Sequence, residues 1–131
     1  MIRILLFALA YFAPVFALGF VLGTVRTLWL APHLGTVGAV AAELPVMLAA
    51  SWIWARVLLV RMAPASQDAA LASGLAALVL LLAAEAVIGI GLLGIPARTW
   101  LAGFTTPPGV LGLAGQIAFC LLPFAAIRSD Q

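Results

Sequence analysis

Four long apolar runs, separated by short links, dominate the pattern of hydrophobic and polar positions. They cover residues about 4–26, 35–60, 69–93 and 108–127. The hydrocarbon core of a bilayer is about 30 Å thick and needs roughly 20 apolar residues in a helix, so each run is long enough to span it. The pattern predicts an all-α, polytopic membrane protein with four transmembrane helices in a bundle. The links are a turn at residues 32–35, residues 61–68 and residues 94–107. None is long enough to fold separately, so we expect a single transmembrane domain over residues 1–131.

Composition supports the membrane interpretation and excludes several other classes of protein. Hydrophobic residues make up 66% of the 131 positions and charged residues 8%, whereas soluble domains are about 45–50% apolar and about 25% charged. Disordered chains are polar and rich in charge, so disorder is excluded as well. The net charge of +2 is too small to indicate a nucleic-acid surface. We therefore expect the lipid bilayer as the surroundings of the chain and no nucleic-acid partner.

The arginines and tryptophans predict how the chain is oriented. Four spans place both termini and the link between the second and third helices on one side of the membrane. That side holds Arg3, Arg56, Arg61 and Arg128, while the other holds Arg26 and Arg98. Positive charge is enriched in cytoplasmic segments, so we expect both termini to lie in the cytoplasm. The tryptophans fit aromatic belts at the two membrane interfaces, with Trp29 and Trp100 outside and Trp52 and Trp54 inside.

Four polar residues interrupt the apolar runs and are predicted to lie at one depth: Arg26, Glu43, Glu85 and Gln116. The last three each lie about eight residues from the outer end of their helix, which is about 12 Å at a rise of 1.5 Å per residue. Arg26 enters from the outer end of the first helix, and its side chain is long enough to reach that depth. The sequence therefore predicts a polar layer in the outer half of the membrane.

Glycines accompany these polar residues at helical spacing. They are Gly19 and Gly23 near Arg26, Gly89 near Glu85, and Gly112 near Gln116. Small residues mark the surfaces on which membrane helices approach each other closely. We therefore expect the four polar side chains to point into the bundle and the four glycines to lie at helix contacts.

The polar layer has more than one interpretation. In the first, its four residues form a buried network that fixes the register of the helices, and the chain is a non-enzymatic accessory or packing subunit. In the second, Glu43 and Glu85 line the pathway of a small, oligomeric proton- or cation-linked channel or transporter, because ionisable groups inside membranes often mark such pathways. In the third, Arg26 extends to the outer headgroups and leaves the glutamates to each other or to a partner protein.

Charge balance adds an expectation about protonation. One arginine cannot neutralise two glutamates, and an unpaired charge in an apolar medium tends to be neutralised. We therefore expect at least one of Glu43 and Glu85 to hold a proton near neutral pH.

The residues that enzymes and metal proteins need are sparse in this sequence. Cys120 is the one cysteine and His33 the one histidine, so a cysteine pair and a two-histidine haem site are excluded within the chain. No HExxH or GxSxG motif occurs. We therefore expect no enzyme, no catalytic residues, no metal and no cofactor. The partners we expect, besides lipid, are further copies of the chain or a larger membrane complex.

Residues 11–61 carry three short motifs. These are Gly19-Phe-Val-Leu-Gly23-Thr-Val-Arg26, then Pro32-His-Leu-Gly35, then Glu43-Leu-Pro45-Val-Met47. This stretch resembles a family of small, uncharacterised four-helix inner-membrane proteins from proteobacteria. The resemblance implies a bacterial inner membrane and no particular chemistry.

Overall fold

The computed structural model describes residues 1–64 and 66–129, and its regular structure there is helical, without strands. Residues 65, 130 and 131 of the predicted domain lie outside the described residues. The elements are α1 (Ile2–Val25) and a π-helix (Arg26–Leu30), α2 (Ala31–Met62), α3 (Gln67–Ala86) and a second π-helix (Val87–Leu92), α4 (Ala97–Ala102) with a 3-10 turn (Gly103–Thr105), and α5 (Pro107–Ser129). The all-α prediction is thus confirmed for the described part of the chain.

Three helical stretches are long and apolar enough to cross a membrane: Ile2–Met62, Gln67–Leu92 and Pro107–Arg128. The first covers 61 residues because helical structure continues through most of the predicted turn at residues 32–35. Gly35 interrupts it, with φ 77° and ψ 167°. A residue without a Cβ adopts positive φ at little steric cost. The count of four spans stays a prediction.

Contacts on either side of Gly35 show that α1 and α2 lie side by side and antiparallel. The Arg26 guanidinium binds the Glu43 carboxylate, and further from the turn the Trp54 indole N–H donates to the Ala10 carbonyl at 2.8 Å. A residue nearer the start of α1 thus contacts one far along α2, and a residue at the end of α1 contacts one nearer the start of α2. This is the pattern of a helical hairpin. The reversal falls at Gly35, at the end of the predicted turn.

The link predicted over residues 94–107 contains a short helix, α4. Gly94, with φ 71°, follows the π-helix. Pro96 then caps α4, and its carbonyl accepts the Trp100 N–H at 2.9 Å. This short helix places the Trp100 indole against Gly89, where an added Cβ would lie 2.9 Å from the ring.

The four long helices form a ring in the order α1, α2, α5, α3, because α1 and α5 each pack against both α2 and α3. The closely packed core lies toward the end of the bundle that holds the chain termini. We call this part the terminal half. Its buried side chains include Phe7, Ala8, Tyr11, Ala55, Leu58, Ala77, Phe119 and Ala126.

Tyr11 joins opposite corners of the ring within the terminal half. Its ring stacks on that of Phe119, with centroids 4.4 Å apart, and its hydroxyl donates to the Phe119 carbonyl at 2.6 Å. Tyr11 and Phe119 are 0% and 4% exposed, so the described side chains are closely packed across the ring at this level.

Candidate functional site

Two adjoining cavities occupy the other part of the bundle, which we call the cavity half. The larger has a volume of about 680 Å³ and is lined by all four residues of the predicted polar layer. The smaller has a volume of about 450 Å³ and is lined by Arg26, Glu85 and Gln116 among others. Because these three residues and Trp100 line both cavities, the polar layer lies where the two cavities meet.

Arg26 and Glu43 form an ion pair that joins the two arms of the helical hairpin. Arg26 Nη1 lies 2.5 Å from Glu43 Oε2. The exposed fraction is 11% for the Glu43 side chain and 36% for that of Arg26, so the pair is partly shielded from solvent. The guanidinium is thus directed toward Glu43, and the interpretation in which Arg26 extends to the headgroups does not describe this geometry.

Glu85 and Gln116 form the second pair of the layer, which joins α3 to α5. Gln116 Nε2 donates a hydrogen bond to Glu85 Oε1 at 2.6 Å. The other amide atom, Gln116 Oε1, is buried and has no hydrogen-bond partner among the described residues. The layer therefore contains a carboxylate paired with a cation and another carboxylate paired with a neutral amide.

The charges that line the larger cavity do not balance. The lining includes one guanidinium, from Arg26, and two carboxyl groups, from Glu43 and Glu85. With both carboxyl groups ionised, the cavity carries one net negative charge, and Arg26 already binds Glu43. An uncompensated charge among apolar side chains is unfavourable unless it takes up a proton or binds a cation. The arrangement is therefore suited to holding a proton or a cation at Glu85.

Two of the four predicted packing glycines lie at close contacts between elements. A Cβ at Gly19 would lie 3.3 Å from the terminal methyl group of Met47, so α1 approaches α2 closely there. Gly89 approaches the Trp100 indole, as described above. The absence of a side chain at these two positions lets neighbouring elements come together.

The other two predicted packing glycines have different surroundings. A Cβ at Gly23 would lie 3.6 Å from Arg26 Nη2, so this glycine leaves space for the guanidinium beside it. At Gly112 an added Cβ would meet no atom of a neighbouring element within 4 Å among the described residues. The expectation of a close helix contact at Gly112 is therefore wrong, because α5 borders both cavities at this position.

Close approaches between long helices also occur at Gly74 and Gly115, which were not among the four predicted packing glycines. A Cβ at Gly74 would collide with the Cys120 carbonyl oxygen, and one at Gly115 would collide with the Leu44 side chain. Gly74 lies at a helical spacing from Glu85, which was an available signal. Gly115 lies next to Gln116 in sequence rather than on its helical face, so spacing did not indicate it.

Trp100 was expected in an outer aromatic belt, and its depth in a membrane stays a prediction. The short helix α4 places its side chain in the lining of both cavities. Its ring also packs edge-on against Phe104, with centroids 5.0 Å apart. An aromatic wall therefore stands beside the Glu85–Gln116 pair.

Comparisons of this chain with models of known protein families, with well-studied proteins and with solved structures gave no match. The described residues contain no group of three or more histidine, cysteine, aspartate or glutamate side chains placed to hold a metal ion. The two cavities and the polar layer between them are therefore the features of the structure that bear on function.

Proposed function

We propose that this chain is a small proton- or cation-linked channel or transporter of a bacterial inner membrane, with Glu85 as the carboxylate that binds the ion. Four spans with both termini in the cytoplasm would place the cavity half toward the outside. The apolar helical stretches, the hairpin around Gly35 and the family resemblance of residues 11–61 support this placement. The observation that carries the proposal is the excess of carboxylates over cations in the larger cavity.

Glu85 is the ion site in this proposal because of the partners that the two carboxylates have. Arg26 binds Glu43, whereas Glu85 accepts a hydrogen bond from a neutral amide. Ionisable groups inside a membrane that face a cavity commonly mark ion pathways. The stacked Tyr11 and Phe119 rings are closely packed across the terminal half. Passage through the chain therefore requires a second conformation or a pathway formed between copies of the chain.

Proton flux in liposomes tests the proposal. The purified protein is placed in liposomes that contain a pH-sensitive dye, the voltage is clamped with potassium and valinomycin, and the decay of an imposed pH gradient is followed. We expect the native protein to dissipate the gradient faster than Glu85→Gln. Asp68→Asn is the matched control, because Asp68 lies exposed in the first turn of α3, at the opposite end of that helix from Glu85.

The outcomes of this experiment separate clearly. Flux that depends on Glu85 and is unaffected in Asp68→Asn supports the proposal. Native protein and Glu85→Gln that carry the same flux, or that both behave like empty liposomes, would contradict it.

A second candidate function is that of a non-enzymatic accessory or packing subunit. The observation in its favour is that each polar pair joins neighbouring helices, Arg26–Glu43 across the hairpin and Glu85–Gln116 between α3 and α5. Purification from native membranes in a mild detergent, followed by mass spectrometry of intact complexes, distinguishes the two candidates. A stoichiometric foreign partner that is lost from Glu85→Gln would favour the accessory subunit, and a homo-oligomer would favour transport.

A further inference from the structure

We infer that the larger cavity binds a primary ammonium ion attached to an apolar group, with Glu85 and Gln116 holding the ammonium. This inference rests on the proposed cation site and names the chemical class of its ligand. Three features of the cavity support it: a hydrogen-bond acceptor of the polar layer without a donor, the charge that faces it, and the apolar wall.

One buried hydrogen-bond acceptor in the polar layer lacks a donor among the described residues. Gln116 Nε2 donates to Glu85 Oε1, and this orients the amide so that Gln116 Oε1 is left buried without a partner. A carboxylate accepts several hydrogen bonds, and a primary ammonium offers three N–H donors. One such group can therefore donate to Glu85 and, when the Gln116 side chain turns its buried oxygen toward the cavity, to Gln116 Oε1 as well. A quaternary ammonium has the same charge but offers no donor to either acceptor.

The charge that faces this position comes from every long helix except α5. The titratable groups in the lining are Arg26 at the end of α1, Glu43 on α2 and Glu85 on α3, while α5 contributes the neutral Gln116. Because Arg26 binds Glu43, one negative charge is left for a ligand. A monovalent cation therefore neutralises the layer, and protons compete with it for Glu85.

The rest of the cavity is mainly apolar, and the cavity is far larger than a single inorganic ion. Its volume of about 680 Å³ lies within the range of small-molecule sites, about 300–1,000 Å³. An inorganic cation binds in a compact cage of oxygen atoms, whereas this wall is mainly aromatic and aliphatic. It includes Phe16, Phe20, Met47, Leu81, Trp100 and Phe119. The apolar group of the ligand would pack against these side chains while the ammonium reaches the polar layer.

A series of three related probes tests the inference. The protein is placed in nanodiscs of phosphatidylcholine, and binding of 2-phenylethylammonium is measured by titration calorimetry, with empty nanodiscs as the background. Trimethyl(2-phenylethyl)ammonium keeps the charge without N–H donors, and propylbenzene keeps the shape without the charge. We expect saturable binding of the primary ammonium and binding about tenfold or more weaker for each analogue.

Binding of 2-phenylethylammonium to three variants tests which protein groups form the site. Glu85→Gln removes the charge at nearly constant shape, and we expect it to weaken binding of 2-phenylethylammonium about tenfold to a hundredfold. Gly112→Leu fills space in the cavity and should also reduce binding, so the inference can be tested even if Glu85→Gln does not fold. Asp68→Asn, which removes a carboxylate outside the cavity, should bind like the native protein.

The results that overturn the inference differ from those that overturn the proposed function. Equal binding of the primary and quaternary ammonium, or equal binding to native protein and folded Glu85→Gln, would overturn the inference. If 2-phenylethylammonium does not bind but proton flux still depends on Glu85, the ligand assignment fails and the ion site stands. If neither is observed, both fail.

Discussion

The two halves of the bundle differ in the partners of the polar side chains that bond from one helix to another. In the terminal half, the hydroxyl and indole groups donate to backbone carbonyls, as Tyr11 does to Phe119 and Trp54 to Ala10. In the cavity half, charged and amide side chains bind each other, and Gln116 Oε1 is left without a partner. The first arrangement stabilises a packed core, whereas the second leaves acceptors and space beside a carboxylate. Under the proposed function, the structural and ligand-binding roles would occupy separate halves.

The largest loss of stability is expected from a substitution in the terminal half. Tyr11→Ala removes a stacked ring and a buried hydrogen bond, and we expect it to lower the free energy of unfolding by about 3–5 kcal/mol. Trp29→Ala is the control in the cavity half, because that side chain is 71% exposed and its loss should cost about 0.5 kcal/mol or less. Reversible unfolding in mixed detergent micelles measures both. Similar losses for the two variants would remove the distinction between the halves.

Two glycine-to-alanine substitutions compare how closely the two halves are packed, because each adds one methyl group. Gly74→Ala pushes a methyl group into the Cys120 carbonyl, and we expect a loss of about 1–3 kcal/mol. Gly112→Ala points into open space in α5 and should be neutral or stabilising by up to about 1 kcal/mol, because alanine favours helix. The measurement is the free energy of unfolding under identical conditions. A destabilised Gly112→Ala variant would show that the cavity half is packed as closely as the terminal half.

Within the cavity half, two isosteric substitutions distinguish a carboxylate that stabilises the fold from one that is free to bind an ion. Their expected effects on the free energy of unfolding are smaller than those above. Glu43→Gln leaves Arg26 without its carboxylate, and we expect it to lower the free energy of unfolding by about 1–2 kcal/mol. Glu85→Gln removes a carboxylate that has no paired cation, so stability should be unchanged within about 0.5 kcal/mol, or higher. Unfolding curves of the two variants decide this. A Glu85→Gln variant as destabilised as Glu43→Gln would favour the packing-subunit function.

Residue type and helical spacing were sufficient to predict the all-α fold and the residues of the layer. Glu43, Glu85 and Gln116 were placed at one depth by the rise per residue, and they line one cavity. Their common distance from the helix ends follows from position in the sequence and the rise per residue, and their depth in a membrane stays a prediction.

Which polar side chains of the layer pair with each other could not be predicted from the sequence. Whether Arg26 binds Glu43 or Glu85 depends on the ring order of the helices, which periodicity does not determine. Similarly, nothing in the sequence indicated that Trp100 lines the cavities. The direction taken by the six-residue helix α4 after Gly94 and Pro96 is set by tertiary packing. The chemistry of the site therefore emerges only when the four helices are assembled.

Thiol labelling tests most directly the claim that the cavity half is open to a small ammonium ion and the terminal half is closed. The chain has one cysteine, Cys120, which is 3% exposed and lies beside the packed core. Gly112→Cys adds a thiol in the lining of both cavities. We predict that 2-aminoethyl methanethiosulfonate, a thiol reagent with a primary ammonium, labels this thiol at least about tenfold faster than it labels Cys120. We also predict that 2-phenylethylammonium slows the labelling at position 112. Equal labelling rates at the two positions would contradict the account.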